Sequence, residues 1–235
     1  MSFLNGVCLF LIYLFPLAII MLLIRKLTKV DDELFRKILH FILLGAYVPL
    51  LFGFSKWWEC AILVLILFIL LLPVLTFAGK IPGFSSFVNE RKKGEFTSSM
   101  VLALSVMLFS IVIGWGLLND RFIVLASVYS WGIGDAFAAL IGKRFGKHKV
   151  KWKFVDNKKS YEGSLAMVIS SAISVFIVLL IRGGINPLYC LLIALVASIL
   201  STFVELCSKN GLDTIFCPAV SITIITILTF LLGGQ

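Results

Sequence analysis

The sequence predicts an all-α, polytopic integral membrane protein of about eight transmembrane helices, with a short basic loop of β-ribbon character between the fifth and sixth. Three observations predict it. Of the 235 residues, 60% are apolar, well above the roughly 45–50% of soluble domains. These residues fall in runs of about 20, the length a helix needs to cross a hydrocarbon core about 30 Å thick. Lys and Arg collect in alternate loops, the asymmetry that sets membrane orientation.

The runs cover approximately residues 3–24, 38–54, 57–77, 97–117, 121–142, 161–181, 187–206 and 214–233. The N-terminus, MSFLNG, has no basic region and no obvious small-residue cleavage site, so the first run reads as a retained helix rather than a signal peptide. The second is short and carries His40. The spans follow one another too closely for a soluble domain, so residues 1–235 read as a single transmembrane domain. The loops after spans 1, 3, 5 and 7 hold 18 of the 21 Lys and Arg, which puts both termini outside. The net charge of +9 then belongs to the inner face, where it suits anionic lipid headgroups or nucleotides; nucleic acid is disfavoured. The five cysteines show no CxxC spacing and no zinc-like neighbours, and read as small hydrophobes.

With that orientation, the acids gather at one depth. Glu95 precedes span 4, Asp135 lies in the inner half of span 5, Glu162 opens span 6, Glu205 closes span 7 and Asp213 precedes span 8. His40 joins them in FRKILHF, where i, i+4 spacing puts Arg36 and His40 on one face beside Lys37. Six stretches of chain converge on one cytoplasmic layer. On span 5, Ser127, Trp131, Gly134, Asp135, Ala138 and Gly142 share a helical sector. A small-residue stripe can be a helix-packing groove. An ionised side chain below the membrane surface costs about 2.5 kcal/mol or more at the centre, however, and such residues mark sites and pathways.

Eight Lys and Arg lie between 143 and 159. In KHKVKWKF, Lys147, Lys149, Lys151 and Lys153 alternate with His148, Val150, Trp152 and Phe154, a period-two pattern suited to an extended ribbon with Trp152 and Phe154 at the headgroup boundary. Ordinary positive-inside charge is the plainer explanation for any one lysine. Gly134, Gly142 and Gly146 lie before or among Lys143, Arg144 and Lys147, where backbone N–H groups can close on phosphate. Neither a P-loop nor a Rossmann turn is present. At the far end of the loop, KKSYEG places Lys159, Ser160, Glu162 and Gly163 at the start of span 6. There free N–H groups and the helix dipole favour an anion, Ser160 suits the N-cap, and Glu162 can hold a divalent cation.

GDAFAALIGKRFGK followed by KKSYEG resembles the signature shared by CTP-dependent lipid alcohol kinases (dolichol kinase, phytol kinase, yeast-type diacylglycerol kinase) and the related phosphatidate cytidylyltransferases. RKILH at 36–40, KGE at 93–95 and ELCSKNGLDTIFCP at 205–218 are similar to the kinase branch. The resemblance implies an integral membrane enzyme that uses CTP and Mg2+ or another divalent cation, with a nucleotide region over 131–163. Asp135, Glu162 and Glu95 are the expected metal ligands. Gly134, Gly142, Lys143, Arg144, Gly146, Lys147, Lys159, Ser160, Gly163, Arg36 and Lys37 are expected around the nucleotide. Asp213, Glu205 and His40 are expected as catalytic groups: Asp213 and Glu205, like Glu95, at a second metal position or as the base that receives the hydroxyl proton, and His40 as that base. Two departures stand out. Kinase relatives carry Asp-Asn where this chain has Asp213-Thr214, and the PGHGG-like stretch and further aspartates of the cytidylyltransferases are missing.

The expected activity is phosphorylation of a membrane-embedded lipid alcohol by CTP at the cytoplasmic face. Cytidylyl transfer to a lipid phosphate is the alternative within enzymes, and a transporter the alternative outside them. A transporter would spread polar groups through the full depth or repeat itself in two halves, and neither pattern is visible. The sequence is silent on tail length and oligomeric state. The membrane would be the cell membrane of a prokaryote, or the endoplasmic reticulum or a plastid membrane of a eukaryote.

Overall fold

A backbone that crosses lipid must satisfy every N–H and C=O within itself, and the chain does so with helices throughout. In the computed structural model, which describes residues 2–28, 30–81, 84, 90, 94–152, 155, 159–208 and 211–233, eight helical segments are long and apolar enough to cross a membrane. They coincide with the eight sequence runs. The chain packs as two compact units, Met1–Leu117 and Leu118–Gln235, each described by itself.

The first unit holds α1 (Phe3–Leu27), α2 (Asp32–Gly45), α3 (Tyr47–Phe52), α4 (Trp57–Ala78) and α5 (Glu95–Ser110), the last continued by a π-helical segment, Ile111–Leu117. The second span begins at Asp32 rather than near 38. Asp31 caps it, accepting from the N–H groups of Glu33 (3.0 Å) and Leu34 (3.2 Å), and Asp32 and Glu33 favour the positive end of the dipole. The same span breaks between α2 and α3 because Pro49 has no N–H for the carbonyl four residues back, that of Gly45. At the change from α5 to π-helix, the Ser110 hydroxyl donates to the Met107 carbonyl at 3.0 Å, a side-chain competitor to the regular ladder.

The second unit is a four-helix bundle: α6 (Arg121–Phe145), α7 (Tyr161–Arg182), α8 (Pro187–Cys207) and α9 (Asp213–Leu232). Each helix packs on the next, and α6 also meets α8 and α9. That explains why α6 is the most buried of the eight segments. Asp120 caps α6 through the N–H groups of Phe122 (2.9 Å) and Ile123 (3.2 Å). Its other oxygen takes Arg182 Nε at 2.6 Å, tying the start of α6 to the end of α7. Asn186 caps α8 ahead of Pro187 at the first helical position. Between the helices, Ser171 Oγ donates to the Ser130 carbonyl at 2.5 Å and Ser221 Oγ to Ser130 Oγ at 3.4 Å, the polar glue expected where no hydrophobic drive separates helix from lipid.

Candidate active site

The stripe on α6 is a seam. Gly134, Ala138 and Gly142 recur every fourth residue, and so do Gly163, Met167 and Ser171 on α7. A methyl at Gly163 would lie 2.9 Å from the Ala138 carbonyl and 3.3 Å from Gly142 Cα; one at Gly134 would lie 2.9 Å from Met167 Cγ. The two backbones therefore touch near the cytoplasmic end expected from sequence. Gly146, where α6 stops, is held the same way: a methyl there would sit 2.6 Å from Ser160 Oγ. Close approach thus requires glycine at 134, 146 and 163, residues the sequence reading set around phosphate.

Because α6 ends against the start of α7, the basic loop folds back as a hairpin. Lys149 and Ser160 form an antiparallel bridge; the Val150 N–H donates to the Lys159 carbonyl and the Tyr161 N–H to the His148 carbonyl, each at 3.0 Å. The β-ribbon character reduces to this one pair among the described residues. Val150 is buried, Lys147, Lys149 and Lys151 are exposed, and Trp152 is half-exposed. Lys153 and Phe154 of the expected ribbon, with Lys93 of the KGE motif and Lys209-Asn210 of the last motif, lie outside the described residues. Ser160 is the N-cap of α7, accepting from the Gly163 N–H at 3.2 Å, as its position before YEG suggests.

The hairpin aims Lys159 across the bundle. Its ammonium lies 2.9 Å from Glu205 Oε1 and also donates to the carbonyls of Glu205 and, at 3.4 Å, Ser208. A cation at the end of α8 satisfies carbonyls that have no intrahelical donor and opposes the negative end of the dipole. Both side chains are largely buried, at 20% and 12% exposure. Asp135 from α6 and Asp213 from α9 lie within electrostatic range of Glu205, Asp213 also of Lys159, and the Trp131 indole faces Asp213. Three carboxylates and one ammonium, from four elements, share one region. When all are ionised the region is net negative and favours added positive charge.

Glu162 has a different neighbour. Its Oε1 meets His148 Nδ1 at 2.6 Å, and its two oxygens accept the His148 N–H at 3.2 and 3.3 Å. The carboxylate expected beside Asp135 on a metal thus clasps the hairpin to the first turn of α7. Lys143 and Arg144 occupy the last turn of α6, exposed, with the Arg144 guanidinium 5.3 Å from the Phe145 ring centre. Arg36, Lys37, His40 and Glu95 belong to the first unit. There Arg36 pairs with Glu33 at 3.8 Å, Lys37 is buried, and His40 lies 6.5 Å, ring to ring, from Phe41. Glu95 starts α5 just after Gly94 (φ 83°), where Glu90 accepts the N–H groups of Gly94 and Phe96, both at 3.1 Å.

Among the described residues no three His, Cys, Asp or Glu side chains form a ready coordination set. Magnesium needs no such cage: one or two carboxylates with water and phosphate oxygens suffice. Asp135 and Asp213 lie within electrostatic range of each other, an arrangement that suits this donor chemistry. The sequence reading missed the roles of His148, Glu90 and the Ser208 carbonyl. His148 was legible in principle, since the 149–160 pairing puts it across from Tyr161, next to Glu162.

Comparison with known proteins agrees with these landmarks. The sequence model of the cytidylyltransferase family matches residues 2–208. Mouse (Mus musculus) dolichol kinase is 28% identical over 169 residues, covering 64% of this chain and 30% of that one. The probable chloroplastic phytol kinases of Zea mays and Triticum aestivum are 32% and 33% identical over 85 residues, 36% of this chain and 26% of each of theirs. The chain thus spans less than a third of the length of these curated relatives. No solved structure shows significant similarity. With a family match that runs from the first helix to the end of α8, this chain belongs to the cytidylyltransferase family, and lipid alcohol kinases are among its relatives.

Proposed function

We propose that the protein is a CTP-dependent kinase that phosphorylates the hydroxyl of a membrane lipid alcohol (a polyprenol, a phytol-like prenol or diacylglycerol) at the cytoplasmic face of its membrane. The observation that carries this reading is the meeting of Asp135, Lys159, Glu205 and Asp213 at one end of the four-helix bundle. Relatives named dolichol kinase and phytol kinase support the kinase class, and the family name supports a cytidine nucleotide.

In this reaction the lipid oxygen forms a bond to the terminal phosphorus of CTP as the bridging P–O bond breaks. CDP leaves, and the hydroxyl proton passes to a carboxylate. The protein contributes position and charge, the main levers in phosphoryl transfer. Asp213, beside Trp131 at the start of α9, is the preferred proton acceptor; Lys159 holds Glu205 in place and keeps a positive charge beside the acids. Lys143, Arg144 and Lys147 are exposed at the mouth of the hairpin, where their positive charge is suited to attract a triphosphate. Asp135 would hold Mg2+ together with water and phosphate oxygens, and the ion when bound offsets phosphate charge.

Purified protein given γ-labelled CTP and phytol should move label into the lipid. With phosphatidate supplied in place of phytol, label appearing in pyrophosphate supports cytidylyl transfer to a lipid phosphate, the reading the family name itself favours. Label in neither product overturns the proposal. A parallel ATP series tests the choice of nucleotide.

A further inference from the structure

The ends of α8 and α9 leave a groove of about 400 Å³, lined by Phe203, Val204, Cys207, Ser208, Leu212 and Phe216. The α8 residues fall at i, i+1, i+4 and i+5 and the α9 residues at i and i+4, so each helix turns one continuous face toward it. Five of the six are apolar or weakly polar. Phe203, Leu212 and Phe216 are each about half exposed, so the groove opens sideways, where acyl chains would surround the bundle. Its polar end is different: the Ser208 carbonyl is an acceptor of the Lys159 ammonium, and Glu205 lies on the turn between Phe203 and Cys207. One wall of the groove and one wall of the acidic site are thus the same turn of α8.

We propose that this groove receives the apolar body of the lipid alcohol, with its hydroxyl at the Ser208 end beside Glu205 and Lys159. This rests on the kinase reading for the identity of the occupant. An amphiphile with one hydroxyl on a hydrocarbon tail matches a trough that is apolar along its described lining, open at its side, and continuous with the charged Glu205–Lys159 pair at the Ser208 end. A nucleotide would find no cationic side chain for its phosphates among these six residues. A soluble peptide would have no access from the membrane side.

The chain carries its own reporters. Cys207 lines the groove and is exposed; Cys8, on α1 in the other unit, is also exposed; Cys60, Cys190 and Cys217 are buried. In detergent micelles, alkylation of Cys207 by N-ethylmaleimide, followed by mass spectrometry of its peptide, should slow at least about fivefold as phytol or dioleoylglycerol is added. Cys8 should keep its rate and so control for partition of the reagent. Magnesium and CTP alone should leave Cys207 unprotected. Leu212→Trp, which fills the trough from an exposed position, should lower kcat/KM for phytol about tenfold or more while KM for CTP stays put. Phosphoryl transfer by wild type with Cys207 unprotected, or slowed no more than Cys8, overturns the groove and spares the kinase reading. Protection without any transfer sinks the kinase and leaves a lipid-alcohol site; absence of both sinks both.

Discussion

Lys159 and Glu205 stand 46 residues apart in sequence and 2.9 Å apart in space, and that pair joins the basic hairpin to the acidic end of the bundle. Without it, Lys159 would be one more inner-face lysine and Glu205 one more helix-terminal acid. With it, the loop that leaves α6 is fastened to α8 across the whole unit.

Lys159→Met should therefore do more than remove a phosphate ligand. It strands Glu205 near Asp135 and Asp213 with its paired ammonium gone, at a cost of about 3 kcal/mol for a largely buried pair. Thermal unfolding in detergent should show the drop. Glu205→Gln in the same chain should restore about 1–3 kcal/mol, read as the coupling energy of a double-mutant cycle. Simple additivity would mean the pair does not bind the hairpin.

Asp135→Asn keeps the size of the side chain and its place on α6, so the melting temperature should stay close to wild type. Turnover should fall at least ~100-fold. An active Asp135→Asn enzyme with unchanged magnesium dependence would remove Asp135 from the site.

The seam makes a separate statement about stability. Gly163→Val puts branched bulk where even a methyl would lie 2.9 Å from the Ala138 carbonyl, and overpacking of this kind costs about 1–3 kcal/mol. Gly142→Ala is milder, since its methyl would meet Ser160 Oγ at 3.3 Å. A calorimetric ranking with Gly142→Ala below Gly163→Val in damage fits backbone contact; equal damage would point to another cause.

His148 and Glu162 can be divided by a cycle of their own. If their contact is chiefly a clasp, His148→Ala and Glu162→Gln should each speed amide exchange across residues 147–152, and the double variant should be no worse than either. If Glu162 also touches the cation, only Glu162→Gln should raise the magnesium concentration needed for half-maximal turnover.

Arg182→Met tests the other end of the bundle. Losing its 2.6 Å contact with Asp120 should cost about 1–3 kcal/mol in unfolding. KM values for both substrates should be unchanged at permissive temperature. A selective change in KM would mean that the α6–α7 tie reaches the site.

By itself, the sequence determined the eight spans and the membrane setting, because unbroken apolar runs of about 20 residues satisfy a lipid-facing backbone as helices, whose lengths are set by the bilayer. It also determined the cap at Ser160, a local event of one side chain and the next turn, and the gathering of Asp135, Glu205 and Asp213 at one depth, since depth follows from position along a span. Only the tertiary structure decided which acid each cation takes. In sequence Glu162 is far nearer to Lys159 than Glu205 is, but the 149–160 pairing turns Glu162 toward His148 and carries Lys159 to Glu205 instead. The glycines of α6 likewise read either as a packing groove or as a phosphate cradle, and only α7 laid against them shows the close packing, because sequence records the absence of a Cβ and not what fills its space.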